Sequence, residues 1–433
     1  MLRGLGRYAK AYVLCVGVFS LLMVLVSLVP KNAIRQQVEE SVPILVEEGD
    51  RPVAWPTMHE TPDALDSFTT MLSLNIAMHV AGSPFRGAVL CPYYRMPEQS
   101  MADALSEGLD KEAQIPYFRY WHGYLSVLVP LLTLFNIAQI RKVFLFVAAL
   151  LSVAVAALLG RKTHIGAALA WGAALLFSNI WIVTESTAQF FCYLVAIGAT
   201  LYVANKSTDD KPLGDDITGP FFFVVGAITV FLDFLDTPVV SLGLPLATYV
   251  ILRKDSVMRD PFAQTLGRLA VLAVSWVAGY ALLWATKWVI GVVVLGGVAA
   301  QDLRFVFGLR TSSQTTDGEA VGRMEVLRRN VAEMFSGWMV ACAKVLGVAW
   351  VAITCFFHKR AWYKLCIVLI AIAAIPVLWY FALPNHAADH TFFTYRNLCI
   401  SVYALGLMVC FVTNWKALRA RIVQLLPVLT RRG

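Results

Sequence analysis

The sequence predicts an all-α integral membrane protein with about ten transmembrane helices. Hydrophobic residues make up 58% of the 433 positions and charged residues 15%, whereas soluble domains carry about 25% charged residues. The mean hydropathy is +0.66. The apolar residues come in runs of about 20, a length that crosses a hydrocarbon core of about 30 Å as a helix. We therefore treat residues 1–433 as a single polytopic membrane domain.

The distribution of basic residues decides which apolar segments cross the membrane. If segment 121–139 crosses, the basic C-terminal tail and Arg253 and Lys254 fall outside the cell. If this segment is instead an interfacial or re-entrant helix, both termini and the short basic turns lie in the cytoplasm. The bias of basic residues toward the cytoplasm favours the second topology. The crossings are then 11–30, 143–160, 165–182, 187–204, 219–235, 238–252, 268–290, 337–357, 365–383 and 397–414.

This topology puts most of the polar chain on the extracytoplasmic side. The outer segments are a long first loop (31–120), a second loop (297–336) and a third, polar loop (384–396). Within the first loop, residues 64–80 have apolar side chains at helical spacing, and residues 101–113 are a second helix candidate. A membrane protein whose unusual polar residues share one face is expected to act on that face.

Charge and motifs argue against several classes of function. The net charge of +8 fits basic cytoplasmic loops in contact with membrane lipids rather than a nucleic-acid-binding surface. The eight cysteines show neither a disulfide framework nor CxxC spacing. Walker A, GxSxG and HExxH motifs are absent from the sequence, so ATP-driven transport and these hydrolase classes have no support.

Asp66 stands at the start of the helix predicted in the first loop. A carboxylate at a loop–helix junction facing a membrane groove could deprotonate a hydroxyl nucleophile. Asp63 and Glu60 compete for the same role. The alternative is that Asp66 or Asp63 only caps the helix.

Asp233 and Asp236 lie in the stretch FLDFLDTP, where one apolar run ends and the next begins. Carboxylates at a membrane border are costly unless they are exposed, paired or functional. The Thr237–Pro238 step would interrupt a helix at this point. These acids predict either a polar wall or cation site below the outer surface, or an ordinary short turn. A divalent cation is left open as a cofactor.

Three basic residues are candidates for binding a phosphate. Lys287 lies about 28 Å along the helix that starts near Arg268, which predicts that it emerges at the outer interface. Arg310 precedes the hydroxyl residues Thr-Ser-Ser, and a guanidinium fork suits phosphate. Arg396 begins the last crossing on the outer side. The alternatives are a snorkelling lysine, a solvated loop arginine and an anchor for lipid headgroups.

Two further stretches bring polar residues toward the same groove. The loop PNHAADHTFFTYRN contains Asn385, His386 and His390, and we expect these residues to bind a sugar or a phosphate. Its HAADH pattern resembles a zinc-binding HxxEH motif, but a third ligand is lacking. Arg119 and His122 open segment 121–139, where they either line the groove or belong to an interfacial belt.

Together these features resemble the C-type (GT-C) polytopic glycosyltransferases, which use polyprenyl-phosphate sugars. The resemblance covers most of the chain: one helix, a large outer loop that bears an acid, and then many crossings. The stretches LDSFTTMLSLN, YFRYWHGYLSVLVPLLTLFN, FLDFLDTP and NHAADHTFFTYRN are similar to segments of bacterial membrane proteins of this group. In the superfamily, an acid of the first outer loop acts as the base toward the acceptor. Asp66 matches that acid here, with Asp63 as the second choice.

The resemblance implies an inverting transfer of a sugar from a polyprenyl-phosphate donor to a cell-envelope glycan or lipid, at the outer face of a bacterial cell membrane. The enzyme would hold the acceptor, remove its proton and stabilise the departing phosphate. Two other classes remain open. A transporter or flippase of lipid-linked sugars should carry polar residues through the membrane depth. A non-catalytic scaffold of envelope assembly would be insensitive to the loss of Asp66 or Asp236.

Overall fold

A computed structural model describes most of the chain. The predicted helix at 101–113, Glu60 and most of the predicted crossing at 337–357 lie outside the described residues. The described residues are 2–49, 53–54, 63–79, 83–94, 114–206, 214–335 and 362–430, with isolated residues between 342 and 356.

Helices form nearly all of the regular structure in the described residues, as the composition predicts. The first loop adds two short antiparallel strand pairs, in which β1 (Val53–Ala54) pairs with β2 (Asp63–Ala64) and β3 (Tyr93–Tyr94) with β4 (Gln114–Ile115). The helices of the first half are α1 (Leu2–Leu28), α2 (Lys31–Glu48), α3 (Ser67–Met78), α4 (Pro84–Leu90), α5 (Leu125–Leu132), α6 (Ile137–Lys162), α7 (Ile165–Phe177), α8 (Ile180–Val183) and α9 (Gln189–Lys206).

The second half of the chain is also helical wherever it is described. The helices are α10 (Asp215–Leu232), α11 (Val240–Leu252), α12 (Lys254–Arg259), α13 (Phe262–Leu295), α14 (Gly297–Thr311), α15 (Arg323–Met334), α16 (Tyr363–Ala373), α17 (Ile375–Ala382), α18 (Pro384–Asp389), α19 (Thr391–Thr394), a 3₁₀ helix (Tyr395–Leu398), α20 (Cys399–Val412) and α21 (Trp415–Thr430).

Several of these helices are suited to crossing a membrane, which confirms that the chain is a membrane protein of the all-α class. Among the described residues, five stretches are both long and apolar enough, and three apolar helices are shorter. The count of about ten crossings therefore stays a prediction. The five stretches are Gly4–Leu28, Ile137–Lys162, Phe262–Leu295, Tyr363–Ala382 and Thr391–Val412, and the shorter helices are Ile165–Phe177, Ile217–Leu232 and Val240–Leu252.

Segment 121–139 folds as a short helix followed by the start of a long one. Helix α5 has 8 residues and rises about 12 Å, too little to cross a bilayer alone. The next crossing was expected to begin at residue 143, but α6 begins at Ile137. Asn136 and Gln139 form a capping box there, which satisfies backbone N–H groups that would otherwise lack partners and so fixes the earlier start.

Helices α10 and α13 pack against each other through two glycines. A Cβ added at Gly226 would lie 2.1 Å from the Trp276 carbonyl oxygen, and one at Gly279 would lie 1.9 Å from the Phe223 carbonyl oxygen. Membrane helices commonly use small residues for such close backbone contact. The contact aligns the end of α10, where Asp233 lies, with the middle of α13.

Basic residues gather at one end of the helical bundle. Lys162 donates hydrogen bonds to the carbonyl oxygens of Ala204 and Asn205, so α6 and α9 end side by side. Lys364, at the start of α16, donates to the carbonyl oxygens of Met258 and Asp260. This "basic end" also holds Arg161, Lys206, Arg253, Lys254, Arg259 and Arg268, with Asp255 and Asp260 as acidic neighbours.

Helix α3 lies where the first-loop periodicity predicts it, but its burial differs from the prediction. The pattern indicated one buried stripe, whereas every residue from Thr70 to Met78 is buried. Helix α2 covers one side of α3, and the Glu48 carboxylate of α2 accepts a hydrogen bond from Ser67. Arg141 of α6 forms a two-bond salt bridge with the same carboxylate, at 2.5 and 3.0 Å. The start of α3, next to Asp66, is therefore fixed to the membrane helices.

Candidate functional site

A cavity of about 220 Å³ lies at the end of the bundle opposite the basic end. Its walls come from four separate parts of the chain: the first loop, the turn after α10, the end of α14, and the loop between α17 and α20. We call it the polar cavity. Its lining residues are Asp66, Phe68, Thr69, Leu72, Tyr117, Tyr120, Phe234, Asp236, Arg310, His386, His390, Phe392 and Phe393.

Asp66 is the N-cap of α3, one of the two roles that the sequence allowed. Its Oδ1 accepts a hydrogen bond from the Thr69 backbone N–H at 3.0 Å, and the side chain is only 3% exposed. Asp66 can cap α3 and also bind a ligand in the polar cavity, because a carboxylate can accept several hydrogen bonds. Asp63 lies in β2, and its side chain is outside the described part of the structure.

Asp233 holds the turn that carries Asp236. Its Oδ1 accepts hydrogen bonds from the Asp236 backbone N–H at 2.9 Å and from the Cys192 thiol at 3.0 Å. Its Oδ2 accepts one from the Tyr280 hydroxyl at 3.2 Å. The turn also forces Leu235 to a φ of 76°, which is costly for a branched side chain. Asp233 is thus a structural residue behind the cavity wall.

Asp236 contributes a buried carboxyl group to the polar cavity. It is 4% exposed, and its Oδ2 has no hydrogen-bond partner among the described residues. Burial raises the pKa of Asp236 well above its usual range, and the negative charges of Asp233 and Asp66 raise it further. Asp236 therefore keeps a proton at pH values where an exposed carboxyl is ionised, and it can donate a hydrogen bond.

His386 is a neutral imidazole with a defined tautomer. Its Nε2 lies 2.7 Å from the Leu235 carbonyl oxygen, so Nε2 carries the hydrogen and Nδ1 is an acceptor. Nδ1 is buried and has no partner among the described residues. Burial lowers the pKa of His386 well below its usual range, and neighbouring His390 and Arg310 lower it further. The wall of the polar cavity therefore includes a fixed hydrogen-bond acceptor as well as the protonated Asp236.

Arg310 is the guanidinium group among the described residues that line the polar cavity. Its NH1 donates to the Asn385 side-chain oxygen at 3.1 Å, which fixes the direction of the guanidinium. Asn385 is itself held by the Gln314 carbonyl oxygen at 2.7 Å and by Asp389 at 3.0 Å. The buried Nε of Arg310 lacks a partner among the described residues. Asn385 is thus a positioning residue, and Arg310 offers an N–H group to an anion.

Aromatic rings form the remaining walls. Tyr117 and Tyr120 meet edge to face at 5.6 Å, and Tyr120 contacts Phe234 at 5.9 Å. On the other side, the His390 ring stacks on Phe393 at 5.2 Å. Sequence reasoning missed Tyr117, Phe68, Phe392 and Phe393 as site residues. The aromatic clusters were visible in the sequence, but only the tertiary contacts bring them together.

Arg119 and His122 support these walls from behind. The Arg119 guanidinium forms a 2.9 Å ion pair with Asp302 and lies 5.1 Å from the centre of the Tyr117 ring. His122 Nε2 bonds to the Tyr117 carbonyl oxygen at 2.8 Å, and its backbone has a φ of 57°. Both residues fix Tyr117 rather than face the cavity.

Lys287 and Arg396 were predicted to meet a phosphate at the outer interface, and both lie inside the protein. Lys287 is 1% exposed, and its Nζ donates to the carbonyl oxygens of Ala88 and Val89. It borders a separate space of about 110 Å³. Arg396 is fully buried, and it donates to the carbonyl oxygens of Ser178 and Phe392. Helical rise predicts height along a helix, but packing decides which side of the helix faces inward.

A large apolar groove lies next to the polar cavity. Among the described residues it encloses about 640 Å³ between α13, α14 and α17. Trp284 of the groove stacks on Tyr120 of the cavity at 6.3 Å, and Thr311 of the groove follows Arg310. Trp276, Tyr280, Trp288, Phe307, Leu378 and Trp379 also line it. An amphiphilic molecule could therefore place its polar end in the cavity and its apolar part in the groove.

Comparisons with protein-family models, curated protein sequences and solved structures give no match to this chain. Among the described residues, no group of three or more His, Cys, Asp or Glu side chains is arranged to hold a metal ion. The geometry of the polar cavity and the groove is therefore the basis for inferring a function.

Proposed function

We propose that this protein is an inverting glycosyltransferase of the polytopic C type, which moves a sugar from a polyprenyl-phosphate donor to a cell-envelope glycan or lipid. The observation that carries the proposal is a set of three buried polar atoms around the polar cavity. Asp236 Oδ2, His386 Nδ1 and Arg310 Nε lack partners among the described residues. Buried polar groups are nearly always hydrogen-bonded, so a ligand with both hydroxyl groups and an anion would satisfy them.

The aromatic walls favour a sugar as that ligand. Tyr117, Tyr120 and Phe234 offer flat apolar surfaces beside the polar atoms. A sugar ring has C–H groups on its faces and hydroxyl groups at its edge, so both kinds of wall have a partner. A cavity of about 220 Å³ also suits a ligand of roughly one sugar unit with its phosphate.

The apolar groove favours a lipid as the carrier of the sugar. Its walls are almost entirely aromatic and aliphatic, which suits an isoprenoid chain whose burial is favourable in proportion to its apolar area. The Tyr120–Trp284 contact joins groove and cavity. A polyprenyl-phosphate sugar would then lie with its tail against α13 and its phosphate near Arg310.

In the proposed mechanism, Asp66 is the general base. Its carboxylate takes the proton of the acceptor hydroxyl, and the hydroxyl oxygen forms a bond with the anomeric carbon. The bond between that carbon and the phosphate oxygen breaks at the same time, and polyprenyl phosphate leaves with the electron pair. Arg310 stabilises the charge on the departing phosphate. One displacement inverts the anomeric carbon.

Asp236 and His386 would bind the sugar hydroxyls in this mechanism. The protonated Asp236 donates a hydrogen bond, whereas His386 Nδ1 accepts one. This pairing selects a sugar by the positions of its hydroxyl groups, because a sugar with other positions would leave a buried hydrogen-bonding group unsatisfied.

The basic end supports an extracytoplasmic site and cytoplasmic termini. Basic residues are enriched in cytoplasmic loops, and the polar cavity lies at the opposite end of the bundle from them. The same sidedness favours an enzyme over a flippase, because the three unsatisfied groups of the cavity lie at one end of the bundle rather than through its depth.

The experiment that tests the proposal separates transfer from translocation. Purified protein in liposomes is incubated with polyprenyl-phosphate sugars labelled in the sugar and with extracts of envelope acceptors. A glycosyltransferase moves the label onto the acceptor and releases polyprenyl phosphate in equal amount. Label that changes leaflet but stays on the donor would indicate a flippase, and no movement with any donor would indicate a scaffold.

A further inference from the structure

Helix α21 (Trp415–Thr430) extends from the basic end of the bundle. It follows the apolar stretch Thr391–Val412, which is long enough to cross a membrane. This stretch finishes at the basic end, because the Phe411 ring lies 6.4 Å from the ring of His164, two residues after Lys162. Helix α21 therefore begins at a border of the membrane, opposite the polar cavity, and its role does not depend on the proposed transfer reaction.

The backbone changes direction between α20 and α21. Thr413 is extended, with a φ of −68° and a ψ of 133°. Asn414 Oδ1 accepts a hydrogen bond from the Ala417 backbone N–H at 3.2 Å, so a new helix starts here with its own cap. The Trp415 indole N–H donates to the Val409 carbonyl oxygen at 3.3 Å. The first turn of α21 therefore stays next to the last turn of α20, at the membrane border.

Helix α21 has an apolar face that the rest of the protein leaves uncovered. Trp415, Leu418 and Ile422 are spaced by three and four residues, which puts them on one face. Trp415 is 46% exposed and Ile422 is 49% exposed, and Leu418 is half-buried. A helix of 16 residues is only marginally stable in water without packing. Contact between this face and the apolar part of a membrane would stabilise it.

Two arginines flank the apolar face. Arg419 follows Leu418 and Arg421 precedes Ile422, so at 3.6 residues per turn the guanidinium groups lie on opposite borders of the face. Both arginines are exposed, and the ion pairs between described residues involve other arginines. An apolar face bordered by basic side chains is typical of a helix that lies in the membrane interface.

The positive charge of α21 is not neutralised by acids of its own segment. Residues 415–430 contain three basic residues and no acidic one. The segment 336–361 also lacks acidic residues, and its Trp350 donates a hydrogen bond to Thr413 at 2.8 Å, just before α21. The charge of the helix therefore complements a surface of anionic headgroups.

We infer that α21 lies along the membrane surface at the basic end and binds anionic glycerophospholipids there. The apolar face enters the border of the acyl chains, and Arg419 and Arg421 contact headgroup phosphates on its two sides. Trp415 anchors the first turn at the interface. A second copy of the chain fits the face less well, because two such faces would bring arginines of like charge together.

Hydrogen–deuterium exchange of the full-length protein in nanodiscs tests this inference. The discs hold one copy of the protein in phosphatidylcholine alone or in an equal mixture with phosphatidylglycerol, and exchange is followed in peptides within 415–424. We expect slower exchange in the discs that contain phosphatidylglycerol. Arg419→Gln should speed the exchange about fivefold in those discs, the usual contribution of one basic residue near an anionic membrane. Ile422→Asp should speed it in both kinds of disc, because a carboxylate interrupts the apolar face.

Lys142→Gln is the matched control, because it removes an exposed basic residue near the start of α6, whose other end lies at the basic end. It should leave the exchange of 415–424 unchanged. The exchange of α20 should be the same in every variant, which shows that the bundle remains folded.

Three results would overturn the inference. The first is equal exchange of 415–424 in the two kinds of disc, which would exclude a preference for anionic lipids. The second is unchanged exchange in Arg419→Gln or in Ile422→Asp. The third is slow exchange that appears only in discs holding two copies of the protein, which would identify a second copy as the partner of this face.

Discussion

Asp66→Asn is expected to lower the rate of sugar transfer about 10²–10⁴-fold, the usual contribution of a positioned general base. The variant separates catalysis from folding, because asparagine caps a helix about as well as aspartate. The Thr69 N–H bond at the start of α3 is therefore kept, and the melting temperature should stay close to that of the wild type. The measurement is the transfer rate at saturating donor, together with a thermal unfolding curve.

Asp236→Asn is the matched control for this prediction. The Asp236 carboxyl keeps its proton because burial and two neighbouring acids raise its pKa, and asparagine resembles a protonated carboxyl in shape and in its ability to donate. We expect this variant to lose less than about tenfold in rate, well below the loss of about 10²-fold that is the smallest usual effect of removing a true base. If Asp236→Asn loses more activity than Asp66→Asn, Asp236 rather than Asp66 is the general base. If Asp66→Asn is fully active, Asp66 is only a helix cap.

Arg310→Met is expected to lower the transfer rate about 10²–10³-fold, the effect of removing one group that stabilises developing charge in a transition state. Methionine keeps the apolar part of the side chain and removes the N–H groups. The lower rate would therefore reflect the missing hydrogen bonds to the departing phosphate. Arg310→Lys keeps the charge but not the fork of donors, and it should recover only part of the rate. The measurement is the transfer rate of each variant with one donor.

Arg304→Met provides the control, because Arg304 is an exposed arginine of the same helix, α14. It should transfer sugar at the wild-type rate. If Arg304→Met and Arg310→Met lose activity equally, the general positive charge of α14 matters rather than a contact in the polar cavity. If neither variant loses activity, the phosphate lies elsewhere.

The class of fold and the local features of the site could be predicted from the sequence. Apolar runs predict membrane helices because hydrocarbon thickness fixes their length. For Asp66 the sequence left two roles open, a base and a helix cap, and it placed Asp236 at a helix break, because these local features depend on neighbours along the chain. The structure shows the cap, through the Thr69 bond, and the helix break, through the turn at Leu235, and the role of Asp66 as a base stays a prediction.

The parts of the site that depend on distant segments could not be predicted. Helical rise predicts that Lys287 reaches the outer interface, but packing turns both Lys287 and Arg396 toward backbone carbonyl groups inside the protein. Tyr117 lies in the cavity wall and contacts two residues that are distant from the other wall segments in sequence, namely Arg119, which is paired with Asp302, and His122. Sequence spacing gives the position of a side chain along its own element, but not its partners on other elements.

We propose that the polar cavity holds the sugar–phosphate end of a lipid donor. The most direct measurement uses a polyprenyl-phosphate sugar with a photoreactive diazirine on the sugar, followed by mass-spectrometric mapping of the labelled residues in the wild-type protein. We expect labels within 66–72, 117–120, 234–236 or 386–393, and an excess of donor without the diazirine should abolish them. Labels confined to the residues around Lys287, or to the basic end, would contradict it.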